Sequence, residues 1–362
     1  MSDTIDELLT QEPFTKSHNS DSLFLSAMSQ SLIFHYENSD IFKQYCIKKN
    51  FNPYDDFTLN EIPFIPSNIF KKLKLSSVDK NEIIKTVHSS STTGKTPSTI
   101  LIDKITSERQ QKIIISILSN FIGKNRKSFL ILESKNNVST GDEMSSRSSA
   151  VRGLTPFMKN IEFILKNDLT LNFENMNKLK FEDTIDHAIF GFTWILYLFI
   201  EKYQNDKNIK ELFSKLNKPL ILHSGGWKKL QNIKISKTEF NQKVSDFFKT
   251  EPNNVIDFYG LVEQLGTIYP DCEYGFKHVP NYSHIIIRDI HTLEPVENGN
   301  RGFIQILTPI PHSYPGVSIL TDDIGKIVGV NSCKCGRQGI CFKFLERLKT
   351  ADLAGCGDTF EM

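Results

Sequence analysis

Between about residues 85 and 260, short apolar runs and segments with helical spacing follow one another along the chain. Residues spaced three or four apart form an apolar face at 107–121 and at 237–248, which predicts two amphipathic helices. Apolar runs bounded by turn residues predict buried strands at 86–88, 128–132, 219–222 and 255–258. This alternation of strand and helix predicts an α/β fold with a mostly parallel sheet.

Two segments within this region lack that alternation. The longest apolar run, 188–200, is shorter than the about 20 residues that a helix needs to cross a bilayer. It therefore predicts a buried helix of the core and no membrane span. Residues 134–153 are polar and rich in serine, and this composition predicts a loop.

After residue 280 the pattern changes to short strands joined by Gly, Pro and Asn turns. The predicted strands are 283–289, 302–308 and 317–321. They indicate a β subdomain, at about residues 270–330, attached to the α/β core. The expected organisation is one large domain, 1–345, followed by a short tail, 346–362.

Composition excludes several classes of partner. The 362 residues carry a net charge of +1, which gives no electrostatic basis for binding nucleic acid or an anionic membrane surface. The N-terminus is acidic and does not resemble a secretion signal. Six cysteines in such a chain favour free thiols or a metal site in a reducing compartment, so we expect a cytoplasmic protein.

The segment 89–98 places five hydroxyl side chains in a row before a glycine, a lysine and a proline. Hydroxyls, free backbone N–H groups and one cation suit a polyphosphate, although an exposed surface loop would look similar. A P-loop is excluded because Ser89 stands where that motif requires its first glycine. The candidate ATP-binding residues of this loop are Ser89, Ser90, Thr92, Thr93, Gly94 and Lys95.

Three further elements lie at the ends of predicted strands, where ligands collect in open α/β sheets. They are 223–228 (His-Ser-Gly-Gly-Trp-Lys), 257–264 (Asp-Phe-Tyr-Gly-Leu-Val-Glu-Gln) and 320–325 (Leu-Thr-Asp-Asp-Ile-Gly). Each alone could be an ordinary turn or helix start; four elements in this order are a stronger signal. The candidate residues are Gly225, Gly226, Tyr259, Gly260, Glu263 and Asp323.

These elements together resemble the adenylate-forming superfamily, which includes acyl- and aryl-CoA ligases. A narrower resemblance is to the acyl-protein synthetase family of the LuxE type, which is related to phenylacetate–CoA ligases. It is carried by 62–67, 70–71, 89–98, 225–228, 262–263, 277–280, 313–315, 321–325 and the tail 347–356. The resemblance implies a large adenylate-forming domain whose C-terminal domain is reduced to a short tail.

The resemblance also implies ATP and Mg²⁺ as cofactors. Tyr259 would stack on adenine, Glu263 would ligate Mg²⁺ and Asp323 would accept hydrogen bonds from the ribose hydroxyls. Three features depart from the superfamily pattern. Ser91 and Asp322 stand where glycine is usual, and the usual final lysine is shifted, with Lys95 before Pro97 and Ser98 after it. The changes at Ser91 and at the lysine could each alter how the β- and γ-phosphates are held.

In the LuxE-type family, the enzyme adenylates a fatty acid and moves the acyl group onto its own cysteine. A partner reductase then takes the acyl group. The matching residue is Cys356, and the cations near it that could lower its pKa are Arg347 and Lys349. Arg347 also resembles a hinge arginine. The resemblance therefore implies an ATP-dependent fatty acid–protein ligase that uses a carboxylic acid substrate and a partner acyl reductase or acceptor protein.

Two other functions stay open. The acyl group could pass to CoA or to a carrier protein, as in phenylacetate–CoA ligases. Alternatively, the chain could be a non-catalytic subunit that keeps the fold and binds a partner, which Ser91 and Asp322 would permit.

The cysteines form a separate pattern. Cys272 and His278 precede the pair Cys333 and Cys335, and three thiolates with one imidazole form a closed tetrahedral Zn²⁺ site. The alternative is a set of reduced, partly buried thiols. His278 also belongs to the Lys-His-Val-Pro match of the family, where it could line the active site instead.

Overall fold

The computed structural model describes residues 3–89, 96–138, 141, 143–178, 186–227, 230, 233 and 235–348. Its helices are α1 (Thr4–Leu8), α2 (Ser20–Asn38), α3 (Asp40–Lys48), α4 (Lys104–Ile122), α5 (Ser146–Leu154), α6 (Phe173–Met176), α7 (Thr193–Tyr203), α8 (Lys207–Ser214) and α9 (Lys237–Phe248). Short 3₁₀ helices include Ser67–Lys71 and Val262–Gln264.

The strands are β1 (Ile65–Pro66), β2 (Ile83–His88), β3 (Thr99–Asp103), β4 (Lys127–Leu132), β5 (Glu143–Ser145), β6 (Met158–Phe163), β7 (His187–Phe192), β8 (Leu220–Ser224), β9 (Val255–Gly260), β10 (Ile268–Pro270), β11 (Lys277–His278), β12 (His284–Arg288), β13 (Gly302–Leu307), β14 (Ser318–Val330) and β15 (Ile340–Arg347).

The central sheet has the strand order β10-β9-β8-β7-β4-β6. Its pairs from β6 to β9 are all parallel, and β10 is added antiparallel at one edge. The apolar runs of these strands are almost wholly buried because helices cover the sheet. The carboxyl ends of β8 and β9 meet at one edge, where Ser224 pairs with Phe258. That edge therefore holds the predicted glycine turn and the predicted Tyr-Gly-x-x-Glu element.

A second, antiparallel sheet has the order β11-β15-β14-β13-β12, and β1 pairs in parallel with β14. The third sheet, β3-β2-β5, is small. The predicted fold class, an α/β core with a mostly parallel sheet and additional β structure, is confirmed. The proposed domain boundaries stay a prediction.

The prediction of a single helix at 188–200 is wrong. Residues up to Phe192 form β7, and α7 begins at Thr193. The strand is buried on both faces between β4 and β8, so its sequence is continuously apolar and does not alternate. A short run of that kind cannot be distinguished from a buried helix by periodicity.

The loop predicted at 134–153 contains β5 and α5 instead. Ser145 caps α5, since its side chain accepts a hydrogen bond from the backbone N–H of Ser148. Val151 and Leu154 then bury the inner face of the helix. The serines that suggested a loop include the residue that starts the helix.

Within the part of the chain that the structure describes, no helix is both long enough and apolar enough to cross a membrane.

Candidate active site

The hydroxyl-rich loop connects β2 to β3 of the small sheet, and its two ends lie side by side because His88 pairs with Thr99. Ser89 follows β2, and its backbone N–H donates to the carbonyl of Ser98 at 3.1 Å. The N–H of Ser98 donates back to the Ser89 hydroxyl at 2.8 Å, so the base of the loop is closed. Of the predicted phosphate-binding residues, Ser89 is placed here, while Ser90, Thr92, Thr93, Gly94 and Lys95 lie outside the described residues.

The closed base of the loop contacts Glu263. The Ser98 hydroxyl donates to Glu263 Oε1 at 2.7 Å, across a separation of 165 residues in sequence. Both side chains are buried. The fold therefore brings together two elements that the sequence predicted independently for phosphate and Mg²⁺ binding.

Glu263 is an ionisable group in a buried position. Burial raises its pKa above the usual glutamate value, while the bond from Ser98 and the charges of Lys71 and Arg347 act in the opposite direction. A divalent cation would favour the ionised form of such a carboxylate. Glu263 thus offers the oxygen ligand that Mg²⁺ prefers, and a bound Mg²⁺ would stabilise its buried negative charge.

The segment 313–316 holds the short helix that carries Glu263. The Tyr314 hydroxyl donates to the backbone carbonyl of Glu263 at 2.8 Å. Gln264 Nε2 donates to the carbonyl of Gly316 at 2.8 Å. Residues 313–315 (Ser-Tyr-Pro) are one of the stretches that carry the family resemblance. The structure explains this stretch as support for Glu263, which the sequence pattern did not show.

Asp323 joins two other predicted site residues, Tyr259 and Arg347. The Tyr259 hydroxyl donates to Asp323 Oδ2 at 2.7 Å. Arg347 donates through Nε to Oδ1 at 2.5 Å and through Nη2 to Oδ2 at 2.8 Å. The Asp323 side chain is 0% exposed, so ribose hydroxyls could reach it only if Arg347 moved. Arg347 is 62% exposed and has room to do so.

Tyr259 presents its ring beside this carboxylate. Burial, with the charge of Asp323, raises the pKa of Tyr259 well above its usual value, so its hydroxyl remains a donor. The ring of Phe344 stacks against it with centroids 5.7 Å apart and an interplanar angle of 29°. Phe344 covers one face, so adenine would stack on the other face or replace Phe344. Sequence analysis missed Phe344 because β15 was not predicted there.

The glycine turn after β8 lies next to Tyr259 in the sheet edge. Gly225 has φ +80°, a left-handed conformation that disfavours side chains. A Cβ added to Gly226 would meet no atom of the described residues within 4 Å, so the turn is open on that side of the described structure. Gly260 is different, since a Cβ there would contact Ile268 at 3.3 Å across the β9–β10 pair.

The predicted zinc ligands come together in a separate cluster. The ligand atoms of Cys272, His278, Cys333 and Cys335 all lie within 4.8 Å of one another. Cys272 Sγ is 3.8 Å from Cys333 Sγ, and Cys335 Sγ is 3.3 Å from His278 Nε2. His278 therefore faces the thiols. Cys341 lies outside the cluster, with its Sγ 3.4 Å from the carbonyl of Gly329.

These four donors fit Zn²⁺ in geometry and in chemistry. Tetrahedral Zn²⁺ with Zn–S bonds of about 2.3 Å places its sulfur ligands about 3.8 Å apart. Burial lowers the pKa of His278 to about 4, so its imidazole is neutral at pH 7. Burial raises the pKa of Cys272 to about 12, so this thiol needs a nearby cation to ionise.

A family model described as acyl-protein synthetase, LuxE, matches residues 1–362. The chain belongs to this family. A long-chain-fatty-acid–luciferin-component ligase of Aliivibrio fischeri is 27% identical over 343 residues, covering 90% of this chain and 85% of the relative. The Vibrio harveyi protein of the same description is 27% identical over 336 residues, covering 89% and 83%. The predicted membership of the LuxE family, and with it the predicted class of enzyme, a ligase, are confirmed.

Solved structures support the fold. The structure described as an open conformation of 2-hydroxyisobutyryl-CoA ligase with 2-HIB-AMP and CoA matches with a TM-score of 0.70 at 13% identity. The match covers 91% of this LuxE family member and 75% of the CoA ligase. Its postadenylation state matches equally well, with 68% of that chain covered. The α/β architecture predicted from the sequence is therefore the fold of adenylate-forming ligases.

Proposed function

We propose that this ligase activates a long-chain fatty acid with ATP and then carries the acyl group as a thioester on Cys356. The observation that carries the proposal is the bond between Ser98 and Glu263, because it brings the hydroxyl loop and the acidic element to one place. Family membership and the described fatty acid ligases support the acid as substrate. A partner acyl reductase or acceptor protein would then receive the acyl group.

The first step forms an acyl-adenylate. A carboxylate oxygen of the acid attacks the α-phosphorus of ATP, and the bond to the bridging oxygen breaks, releasing pyrophosphate. The loop residues and Lys95 would hold the phosphates, and Tyr259 with the Gly225 turn would position the base. A Mg²⁺ ion bound by Glu263 would supply neutralisation of the phosphate charge.

The second step transfers the acyl group. The Cys356 thiolate attacks the acyl carbon, and AMP leaves with the electron pair of the broken C–O bond. Arg347 is a candidate to favour the thiolate. Cys356 lies outside the described residues, so its assignment as the acceptor rests on the family resemblance, and a cytoplasmic location also stays a prediction.

Two assays test the two steps separately. ATP–pyrophosphate exchange, measured across fatty acids of different length, reports adenylation. A radiolabelled acid with ATP reports covalent acylation, and hydroxylamine cleavage identifies a thioester. We expect Cys356→Ser to retain exchange and to lose the labelled thioester. A Cys356→Ser protein that still acquires a thioester would show that another residue is the acceptor.

The competing functions have distinct outcomes in the same experiments. Formation of acyl-CoA when CoA is added, without any enzyme-bound thioester, would favour a CoA ligase. Absence of exchange with every acid, while the protein is folded, would favour a non-catalytic partner-binding subunit.

The zinc proposal is tested by metal content. We propose that Cys272, His278, Cys333 and Cys335 hold one structural Zn²⁺. Purified wild-type protein should contain about one equivalent of zinc by elemental analysis, as a closed four-ligand site requires. Cys333→Ser should lose it, whereas Cys341→Ser, a matched change outside the cluster, should keep it. Equal zinc content in both variants would overturn the assignment.

A further inference from the structure

A chain of alternating charges is buried behind the glycine turn. Lys277 Nζ lies 2.7 Å from Asp257 Oδ2 and 3.4 Å from Asp271 Oδ1. Asp271 also pairs with Lys237, and Asp257 Oδ1 lies 3.6 Å from His223 Nδ1. Lys277 is 6% exposed and Asp271 is 5% exposed. The buried ammonium of Lys277 is tolerated because the carboxylates of Asp257 and Asp271 face it.

His223 lies beside one end of this chain and leads to the backbone of the turn. It is the partner of Asp257 in the β8–β9 register, and their side chains, 3.6 Å apart, are in contact without a hydrogen bond. The Thr193 hydroxyl donates to the carbonyl of Ser224 at 3.2 Å and lies 2.9 Å from His223 Nδ1. Because a hydroxyl has a single proton, His223 Nδ1–H must be the donor in the second contact. This relay ends on Ser224, which immediately precedes Gly225.

The same charges also fix the strand that carries Tyr259. Asp257 lies two residues before Tyr259 in β9 and therefore on the same face of the strand. The backbone N–H of Asp271 donates to the carbonyl of Asp257 at 2.8 Å, and Lys277 Nζ lies 3.5 Å from that carbonyl. Lys277 thus holds both the side chain and the backbone of Asp257.

The other end of the chain is anchored at the Cys/His cluster. Asp271 is followed by Cys272, and Lys277 is followed by His278. The two residues that clamp Asp257 are therefore attached directly to two proposed zinc ligands. Since β11 belongs to the antiparallel sheet and β9 to the central sheet, Lys277 also joins the two sheets.

We propose that Lys277 is a positioning residue for the nucleotide site. It holds Asp257 in β9, and because β9 pairs with β8 at His223 and Ser224, it sets where Tyr259 and the Gly225 turn lie relative to each other. Its ammonium faces the carboxylates of Asp257 and Asp271, so it would act on the nucleotide through these residues. The inference rests on the proposed nucleotide site and adds to it a role for Lys277, which the Lys-His-Val-Pro match includes without assigning it a role.

The test compares Lys277→Met with Lys277→Arg and with Lys237→Met. Lys237 is the matched control, since it also pairs with Asp271 but is 43% exposed and makes no bond to Asp257. In ATP–pyrophosphate exchange, Lys277→Met should raise KM for ATP by about tenfold and leave KM for the acid within about twofold, as a displaced binding group would. Lys277→Arg should recover much of the loss, and Lys237→Met should change neither KM.

Several outcomes would overturn the inference. A Lys277→Met protein with a lower melting temperature and an unchanged KM for ATP would show a purely structural role. If that variant does not fold, the isosteric Asp257→Asn replaces it and should raise KM for ATP in the same way; an unchanged KM contradicts the inference. Titration of wild type with a fluorescent ATP analogue distinguishes failure of this inference from failure of the proposed function. If wild type does not bind the analogue, the proposed nucleotide site itself is wrong.

Discussion

At the scale of single residues, Glu263 shows how its proposed binding function would oppose stability. Burial raises its pKa in the folded protein above the value in the unfolded chain, about 4.5. The folded state therefore binds the proton more tightly, and this contribution to stability is present below the unfolded pKa. It is lost as the pH rises through the folded pKa, so without Mg²⁺ the ionisation of Glu263 destabilises the fold at higher pH.

Glu263→Gln should separate these two effects. Glutamine keeps an acceptor oxygen for Ser98 and carries no charge, so the variant should melt at a higher temperature than wild type at pH 7. The gain should shrink towards pH 4, where wild-type Glu263 is protonated. Exchange should fall by about a hundredfold or more, because the proposed Mg²⁺ ligand is gone. Melting curves at both pH values and exchange rates check the prediction, and unchanged exchange would contradict the Mg²⁺ role.

Gly226 offers a probe of the nucleotide position. Among the residues that the structure describes, no atom lies within 4 Å of a Cβ at Gly226, so Gly226→Ala should leave the melting temperature unchanged. If adenine lies against this turn, the added methyl group should raise KM for ATP several-fold. Gly225→Ala should instead lower the melting temperature, because φ is +80° there. An unaffected KM in Gly226→Ala would place the base elsewhere.

At the scale of elements, the sequence pattern predicted those helices and strands that carry a clear local signal. Helix α9 has the predicted bounds, since Ser236 and Glu239 form a capping box that is readable in the sequence. Strand β7 was mistaken for helix because both its faces are buried. Strand β15 was not predicted, because its C-terminal half is exposed and the register of its pairing with β14 shifts twice.

The supporting segment 313–316 gives a prediction at this scale. A Cβ added to Gly316 would lie 2.3 Å from the Tyr314 ring and 3.1 Å from the Glu263 carbonyl. Gly316→Ala should therefore cost about 1–3 kcal/mol of stability and shift the Mg²⁺ dependence of exchange to higher concentration. Gly141→Ala is the control, since no atom of the described part of the chain lies within 4 Å of that Cβ. Equal behaviour of the two variants would show that the segment does not support Glu263.

At the scale of the whole molecule, the candidate site is an assembly of elements distant in sequence. The motifs identified its members, and the structure joins Ser98 to Glu263 and joins Tyr259 and Arg347 to Asp323. The role of Lys277 and the contact of Phe344 could not be predicted, because they depend on how the two large sheets meet. No periodicity along the chain encodes that contact.

The Cys/His cluster lies where these sheets meet, which predicts how metal loss affects the molecule. Cys272 precedes β11 and the Cys333 pair lies between β14 and β15, so one Zn²⁺ would tie the edge of the central sheet to the antiparallel sheet. Chelation should therefore lower the melting temperature of wild type. Below about pH 5 the loss should occur without chelator, because protons displace Zn²⁺ from thiolates.

Cys341→Ser should respond to chelator as wild type does, while Cys333→Ser should start at the lower melting temperature and not respond. Differential scanning calorimetry with and without chelator, with released zinc measured alongside, checks this expectation. If wild type releases zinc with no change in melting temperature, the metal does not join the two sheets, and the buried charges of Lys277, Asp257 and Asp271 must hold them together without it.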